Sequence, residues 1–247
     1  MRDRRLTREA LAGIERWVVQ EGIECLYLLA DAADTETAPL AEEAGFRLVD
    51  VRVTLDRQLV AGDDGKGGGD GTEAGNGGGS GDGDGRARGG AEGVSKVAIR
   101  EAVPADVPEL RRIAGASHHD SRFYHDSHFD RRRCDELYAT WIEGCCGDPD
   151  GVVLAAAAPD AGSVRGYITA SLAAAGQGTI GLFAVDGAAQ GQGIGGRLIA
   201  AAFEWLAGRG ATRASVVTQG RNVRAQRIYQ QFGMRTCSLE LWYHRWW

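Results

Sequence analysis

A glycine-rich stretch at residues 61–93 sets the main limit on how this chain folds. It holds 16 glycines in 33 positions and hardly any aliphatic side chain. Burial of apolar surface therefore cannot offset the entropy that is lost when such a backbone is ordered. The composition predicts a disordered, flexible linker. This linker divides the 247 residues into a small α/β domain at 1–60 and a larger domain at 94–247.

The first segment shows two helical patterns and two strand patterns. Apolar residues recur at helical spacing after Thr7, and a second helix is expected over 36–44, with Gly45 just beyond its end. Strands are predicted at 24–29 and 47–55, the second with clear alternation. Four elements are too few to cover a sheet, so we expect this segment to dock onto the larger domain.

The larger segment alternates between strand patterns and helical patterns. Asp106 is expected to cap a helix that runs to about residue 116. Strands joined by crossover helices predict an α/β fold with a mixed sheet and helices on both faces. The expected strands are 97–100, 152–157, 164–172, 179–185, 213–218 and 235–243, and the later helices pass through Leu137 to Ile142 and over 193–207 and 222–232.

Charge and cysteine usage exclude some classes of protein. The formal net charge is −6, which argues against nonspecific nucleic-acid binding. No apolar run approaches the ~20 residues of a membrane span, so we expect no membrane partner. The five cysteines are odd in number and lack a CxxC pair, which favours reduced thiols in a cytoplasmic protein. The sequence leaves open whether the chain forms a homodimer.

A glycine-rich turn follows the predicted strand at 179–185. Residues 180–196 read IGLFAVDGAAQGQGIGG, in which closely spaced glycines open a helix. The first N–H groups of a helix are unpaired and lie at the positive end of its dipole, and glycines let a phosphate approach them. The turn therefore predicts a phosphate site. The alternative is that these glycines serve only a tight connection.

Two kinds of phosphate ligand compete for this turn. Gly191, Gly193 and Gly196 satisfy GxGxxG, but that dinucleotide motif directly follows the first strand of its fold and has an acidic residue ~20 positions on. No Asp or Glu occurs from 205 through 239, so the context excludes a dinucleotide fold. The same stretch instead contains six arginines, which suit a ligand with several phosphates: Arg209, Arg213, Arg221, Arg224, Arg227 and Arg235.

Two motifs in this region resemble those of a known superfamily. Gln190-x-x-Gly193-x-Gly195 follows the strand GLFAVD, and Asn222-x-x-Ala225-x-x-x-Tyr229 comes later in the chain. In this order they resemble the acyl-CoA and thiolate motifs of the GNAT superfamily of N-acyltransferases. The run VAIREAVPADVPELRRIA is similar to the first strand and helix of that fold, so the resemblance covers residues 97–243.

A narrower resemblance is to the dTDP-fucosamine acetyltransferase family. It rests on VVTQGRNVRAQRIYQQFGM, LELWYHRW, Ser121-Arg122-Phe123, the helix ELYATWIEG and the N-terminal GFRLVDVRVTL. That family acetylates the 4-amino group of dTDP-4-amino-4,6-dideoxygalactose. The resemblance implies an N-acetyltransferase that uses acetyl-CoA as donor substrate and an amino sugar nucleotide as acceptor. The 33-residue glycine linker departs from the family's pattern.

The resemblance also implies roles for particular residues, with direct transfer in a ternary complex. Tyr229 is the expected acid, because a phenol stays protonated at neutral pH and can give its proton to a departing thiolate. Asn222, seven residues earlier on the same helix face, is expected to bind pantetheine or to order water. Pantetheine is expected on the main chain of Leu182, Phe183, Ala184 and Val185, and pyrophosphate on the amides of Gln190, Gly191, Gln192, Gly193, Ile194 and Gly195.

Acceptor residues are sought in the segment SHHDSRFYHDSHFD at 117–130. Arg122 is a candidate clamp for the diphosphate, because a guanidinium offers bidentate donors, and Tyr124 is a second candidate for substrate binding. His125-x-x-His128 has no second ligand pair at metal spacing, so no metal is expected. The general base stays open between a water chain and five side chains: His118, His119, Asp120, His125 and His128.

Two other functions remain open on the sequence. The same chemistry could serve another amine, such as a protein N-terminus, a polyamine or an aminoglycoside. A different class is a binding module that senses acyl-CoA without turnover. The presence of both Tyr229 and Asn222 favours catalysis, since a sensor could lose either residue and keep the phosphate turn.

Overall fold

The computed structural model describes residues 5–59, 97–158, 163–173 and 176–247. The predicted linker at 61–93 lies outside these ranges. Helices cover α1 (Arg8–Glu21), α2 (Thr37–Glu43), α3 (Val107–Gly115), α4 (Arg122–His125), α5 (Arg131–Cys145), α6 (Ile194–Gly208) and α7 (Val223–Gln231). Strands cover β1 (Cys25–Asp31), β2 (Arg47–Gln58), β3 (Ala98–Glu101), β4 (Gly151–Ala157), β5 (Val164–Ala173), β6 (Gln177–Val185), β7 (Arg213–Gln219) and β8 (Arg235–Trp246).

The eight strands form a sheet in the order β1-β8-β2-β7-β6-β5-β4-β3. Neighbouring strands are antiparallel except β6 and β7, which are parallel. The predicted mixed α/β sheet is therefore confirmed. The parallel pair is joined by the crossover helix α6, as such a pair requires.

The N-terminal segment contributes two strands to this sheet. β2 lies between β7 and β8 and is hydrogen-bonded to both, and β1 pairs with the outer side of β8. The segments before and after residues 61–93 therefore share one sheet, in which β2 neighbours the strand that leads to α7. Whether residues 1–60 and 94–247 are separate folding domains stays a prediction.

Local signals fix several element ends. The Thr7 side chain accepts the N–H of Ala10 at 3.1 Å and caps α1, which ends at Gly22 with φ 63°. The side chain of Asp106 does not cap α3 as expected. Pro104 starts a 3₁₀ turn ahead of α3, and Asp106 is the last residue of that turn. The Asp106 carboxylate instead accepts two N–H groups of Arg100 at 2.6 and 2.9 Å. This bond holds the pKa of Asp106 below its usual value.

Helices cover both faces of the sheet. On one face, α6 packs mainly on β5, β4 and β6, and each Leu or Phe that is fully buried there stabilises the fold by about 1.5–3 kcal/mol. On the other face, α3 and α5 cover β4, β5 and β6, whereas α4 lies against β2. A smaller core joins α1 and α2 to β1 and β8. The α6 core includes Ile168, Ile180, Leu198, Ile199, Phe203, Leu206 and Val216.

Candidate functional site

The parallel strands β6 and β7 separate part of the way along their length. Their pairing joins Gln177–Ile180 to Arg213–Val216 and stops there. Beyond that point β6 is paired with β5 alone, and β7 is paired with β2. The backbone groups of β6 that face away from β5 therefore open into a gap, where an extended ligand can pair with them.

A bulge in β6 lies where the two strands separate. The register with β5 shifts between Ile168 and Ala170, so that two residues of β6 oppose Thr169 alone. Thr169 Oγ1 accepts the N–H of Leu182 at 2.8 Å. A Cβ at Gly181 would lie 2.5 Å from that oxygen, so only glycine fits. A bulge bends the strand that carries it, and this one lies where β6 stops pairing with β7.

A groove of about 810 Å³ continues from this gap. Its walls come from the end of α3, the last residues of β6, the glycine turn, the start of α6 and one face of α7. Five predicted site residues do not line it: Leu182, Gln192 and Tyr229, and the two acceptor candidates Arg122 and Tyr124. The predicted residues that do are Phe183, Ala184, Val185, Gln190, Gly191, Gly193, Ile194, Gly195 and Asn222.

Two different structural constraints, backbone conformation and close packing, favour glycine at positions of the turn. Gly191 and Gly193 have φ of 79° and 75°, and a Cβ at either position would meet nothing within 4 Å. Their backbone conformation, and not lack of space, requires glycine. Gly195 is favoured by close packing, because its Cβ would lie 3.1 Å from side-chain atoms of both Phe183 and Ile228. The start of α6 is therefore close to β6 and α7 at this position.

The start of α6 leaves backbone donors at the groove. The N–H of Arg197 bonds to the carbonyl of Gly193 at 3.3 Å, and Gly193 is the residue that precedes the helix. The amides of Ile194, Gly195 and Gly196 precede this first helical bond and so have no partner within the helix. These groups lie at the positive end of a 15-residue helix, which suits an anionic ligand.

Polar side chains hold the turn in place. Asp186 accepts the N–H of Ala188 at 2.9 Å and forms an ion pair with Arg112 of α3. The Arg112 bond holds the pKa of Asp186 below its usual value. Gln190 donates to the carbonyl of Val185 at 3.1 Å and accepts from Arg224 of α7 at 2.6 Å. The turn is therefore fixed between α3 and α7, and Arg112, Arg224 and Arg227 add positive charge to the groove.

Tyr229 is buried on α7, 3% exposed, with its ring 6.1 Å from that of Phe183. Burial raises the pKa of its phenol, so the hydroxyl carries its proton at all physiological pH values. Among the described residues, no hydrogen bond engages this hydroxyl. Asn222, its predicted companion, uses its side-chain oxygen to accept the N–H of Ala225 at 3.0 Å and so caps α7.

Arg122 begins α4, two residues after Asp120 of the groove, and lies among aromatic rings. The groove and this neighbouring aromatic region are together called the cleft. Its guanidinium carbon is 4.2 Å from the ring centre of Trp242, 4.3 Å from that of Phe123 and 5.4 Å from that of Tyr27. Burial lowers the pKa of the guanidinium, and its Nε is buried without a hydrogen bond. Cation–π contacts therefore hold the cation, and within the described residues no hydrogen bond engages its two terminal nitrogens, which are the donors left for a ligand. Sequence reasoning missed Tyr27 and Trp242, since no local pattern marks them.

The neighbouring candidate Tyr124 is engaged elsewhere. It is 8% exposed, and its hydroxyl donates to Asp135 of α5 at 2.6 Å. The edge of its ring packs against His119, with ring centres 4.8 Å apart. These contacts tie α4 to α5, and a role of Tyr124 in substrate binding stays a prediction.

The histidines near the cleft have different surroundings. His118 Nε2 lies 2.9 Å from the hydroxyl of Tyr167, and its ring stacks on Tyr138 at 4.5 Å. Burial lowers the pKa of His118 to about 4, so this imidazole is neutral at neutral pH. Desolvation also lowers the pKa of His125, an exposed residue at the end of α4.

Asp126 joins this segment to the last strand. Its carboxylate receives donors from His244 at 2.6 Å, His128 at 2.8 Å and Trp246 at 2.9 Å. Burial alone would raise the pKa of Asp126, but these donors hold it well below its usual value. The network anchors α4, and with it Arg122, against β8. Sequence reasoning missed it, because Asp126 and His244 are 118 positions apart.

Metal ligands, membrane-spanning helices and disulfide bonds are next considered for the described residues alone. Within them, no group of three or more His, Cys, Asp or Glu side chains is placed to hold a metal ion. No helix in those ranges combines the length and the hydropathy needed to cross a bilayer. The five cysteines are all free thiols.

Comparison with known proteins gives consistent results. A model of the acetyltransferase (GNAT) family matches residues 113–234. The dTDP-fucosamine acetyltransferase of Escherichia coli O6:H1 is 33% identical over 143 residues, which cover 57% of this chain and 59% of that protein. The match therefore spans less than two thirds of this relative.

Solved structures share the fold at low identity. The GCN5-related N-acetyltransferase from Sphaerobacter thermophilus has a TM-score of 0.59 at 19% identity, covering 95% of this chain and 68% of that one. The GCN5-related N-acetyltransferase from Kribbella flavida has a TM-score of 0.57 at 16% identity, covering 96% and 74%. At these identities the likeness concerns the fold alone.

Proposed function

Residues 113–234 form an acetyltransferase domain of the GNAT family, and from this premise we propose that the protein transfers an acetyl group from acetyl-CoA to an amine. The proposed acceptor is the amino group of an amino sugar nucleotide of the dTDP-4-amino-4,6-dideoxyhexose type. The amine attacks the thioester directly while both substrates are bound. We place the reaction in the cytoplasm, where free thiols such as these five persist.

The observation that carries the proposal is the gap between β6 and β7 together with the glycine turn beside it. Pantetheine is a chain of amides, and the free edge of β6 offers it backbone partners after Ile180. The diphosphate of coenzyme A needs donors that a large anion can approach. The unpaired amides at the start of α6 meet that need, because Gly191 and Gly193 leave open space above them.

Tyr229 has the properties that an acid in this reaction requires. Its buried phenol keeps its proton until negative charge develops on the sulfur. The same low-polarity surroundings make a thiolate more basic, so the two pKa values remain comparable although that of the phenol is raised. Phe183, in contact with Tyr229, lines the groove, which brings the phenol close to the donor side.

The acceptor assignment rests on Arg122 and on the curated relative. Arg122 presents partly desolvated donors in an aromatic setting, which suits a diphosphate and the flat base of a nucleotide. The E. coli relative is named as an acetyltransferase of dTDP-fucosamine. An amine without phosphate, such as a polyamine, has no anionic group that could accept hydrogen bonds from this guanidinium.

Mass spectrometry tests the proposal. The full-length protein is incubated with acetyl-CoA and a panel of aminodeoxy sugar nucleotides, polyamines, aminoglycosides and peptides. We expect one acetyl group to be added to an amino sugar nucleotide. Turnover on peptides or polyamines alone would remove the proposed acceptor but keep the chemistry, whereas binding of acetyl-CoA without any turnover would indicate a sensor.

A further inference from the structure

A buried carboxylate of the N-terminal segment lies near the proposed acceptor clamp Arg122 and has no part in the function proposed so far. Asp50 of β2 is 5% exposed. It lies opposite Trp242 of β8, the ring that contacts Arg122. Arg52, two residues on, lies opposite the end of β7 at Gln219. Asp50 therefore lies beside the end of β7, where β7 has already separated from β6.

A local irregularity of β2 places Asp50 there. Its register with β8 shifts between Leu48 and Asp50, which leaves Val49 as an extra residue. The carbonyl of Val49 accepts from Arg221 at 2.6 Å, and the carbonyl of Val51 accepts the N–H of Gly220 at 2.6 Å. The bulge thus holds the turn that leads into α7, the helix of Tyr229.

The two carboxylate oxygens of Asp50 differ in their surroundings. Oδ1 accepts the N–H of Val51 at 2.8 Å and lies 3.6 Å from Nε of Arg221. Within the described residues, Oδ2 has no hydrogen bond. Oδ2 is not one of the fully buried atoms that lack a partner, so a small polar group can reach it. An ammonium or amine is such a group.

The groups around Asp50 connect it to both substrates. Arg122 and Asp120 interact electrostatically with it, and Asp120 also lines the donor groove. Asp50 is therefore close to the proposed diphosphate clamp and to a residue of the donor groove. An amine held at Asp50 would be near both substrates.

We infer that Asp50 binds the acceptor amine and removes its proton during acetyl transfer. This inference rests on the proposed function and completes it with the missing base. The amine nitrogen bonds to the thioester carbon, and the carbon–sulfur bond breaks. Asp50 takes the proton from nitrogen, and Tyr229 gives one to sulfur. Asp50 then releases its proton to water and Tyr229 regains one, which leaves an amide and a free thiol.

Burial favours this proton transfer from both sides. It raises the pKa of Asp50, and it lowers the pKa of an amine that enters the same cleft. Arg221, Arg122 and the N–H of Val51 act to lower the pKa of Asp50, and Asp120 acts to raise it. Asp50 works as a base only when ionised, so the rate should rise with pH through a pKa above the usual Asp value of about 3.9.

A pair of matched variants tests the inference. Asp50→Asn keeps the size of the side chain and removes the base. Asp56→Asn makes the same change on the same strand, where the carboxylate pairs with Arg213 away from the cleft. Acetylation of the amino sugar nucleotide that wild type uses best is followed between pH 5 and 9, together with the melting temperature of each variant.

We expect Asp50→Asn to lower kcat/KM for the amine by about 10²-fold or more and to lose the acidic limb of the pH profile. The KM for acetyl-CoA and the whole profile of Asp56→Asn should stay within about 2-fold of wild type. A purely structural Asp50–Arg221 ion pair would instead lower the melting temperature and leave kcat/KM and its pH profile unchanged, which would overturn the inference.

Other outcomes are also decisive. If Asp50→Asn does not fold, the wild-type profile is extended to pH 4 and serves instead. A base whose pKa is raised above about 3.9 is at most about half ionised at pH 4, so a kcat that is flat from pH 4 to 9 contradicts the inference. Absence of wild-type turnover on every amine would overturn the proposed function and this inference together. Normal wild-type turnover with an equally active Asp50→Asn would overturn the inference alone.

Discussion

The proposed donor side and the proposed acceptor side of the cleft are built by different means. The donor side comes from one continuous stretch, 180–196, and offers mostly backbone groups, with glycines at positive φ and amides at a helix start. The acceptor side comes from residues far apart in the chain, such as Tyr27, Arg122 and Trp242, and offers side chains. A donor site made of backbone fits one common ligand, whereas side chains gathered from several strands can vary with the acceptor.

Tyr229 is proposed to act where the two sides meet. Its substitution should therefore lower the rate of acetyl transfer without weakening the binding of either substrate. Tyr229→Phe removes the acid and keeps the ring that packs on Phe183. We expect kcat to fall by about 10²-fold or more, with the KM of each substrate within about 2-fold of wild type. Steady-state kinetics measure this, and an unchanged kcat would show that another group protonates the sulfur.

Arg122 should affect the acceptor side alone. Arg122→Gln removes the cation from its aromatic contacts, and a lost hydrogen bond to a charged group costs about 1.5–3 kcal/mol. We therefore expect the KM of the amino sugar nucleotide to rise about 10- to 100-fold while the KM of acetyl-CoA stays unchanged. An equal rise in both would show that the two sides are not independent.

Gly193 should affect the donor side alone. Gly193→Ala places a Cβ on a residue with φ of 75°, which costs about 1–2 kcal/mol. We expect acetyl-CoA to bind about 5- to 30-fold more weakly by calorimetry, with no change in the acceptor KM. Gly208→Ala, at the far end of the same helix and free of contacts, is the control and should bind acetyl-CoA like wild type.

The predicted linker should affect neither side. Deletion of half of residues 61–93 changes the entropy of chain closure only slightly, since this grows as about (3/2)RT ln n. We expect both KM values and kcat to remain within about 2-fold of wild type. A collapse of activity with the melting temperature preserved would show that these residues contribute to the site.

The same contrast explains how much could be predicted from the sequence. Helix and strand patterns and the glycine turn are local signals, and the mixed sheet with helices on both faces is confirmed. The position of β2 between β7 and β8 could not be predicted, because pairing between distant strands leaves no local pattern. The places of Asp50, Trp242 and His244 depend on that pairing, and so the acceptor side stayed hidden.

Two predicted donor residues have structural partners of their own. The side chain of Leu182 packs under α3 and α5 and does not line the groove. Its backbone lies on the free edge of β6, so its main-chain contact with the donor stays a prediction. Asn222 lines the groove, and its side-chain oxygen accepts the N–H of Ala225; that it binds pantetheine or orders water also stays a prediction.

Initial rates over a matrix of acetyl-CoA and amino sugar nucleotide concentrations test most directly whether the two sides act together. Direct attack requires both substrates in the cleft at once, so double-reciprocal plots should intersect. Parallel lines would indicate that the protein is acetylated first and releases CoA before the amine binds. That result would contradict a cleft in which a backbone-built donor side and a side-chain-built acceptor side are filled at the same time.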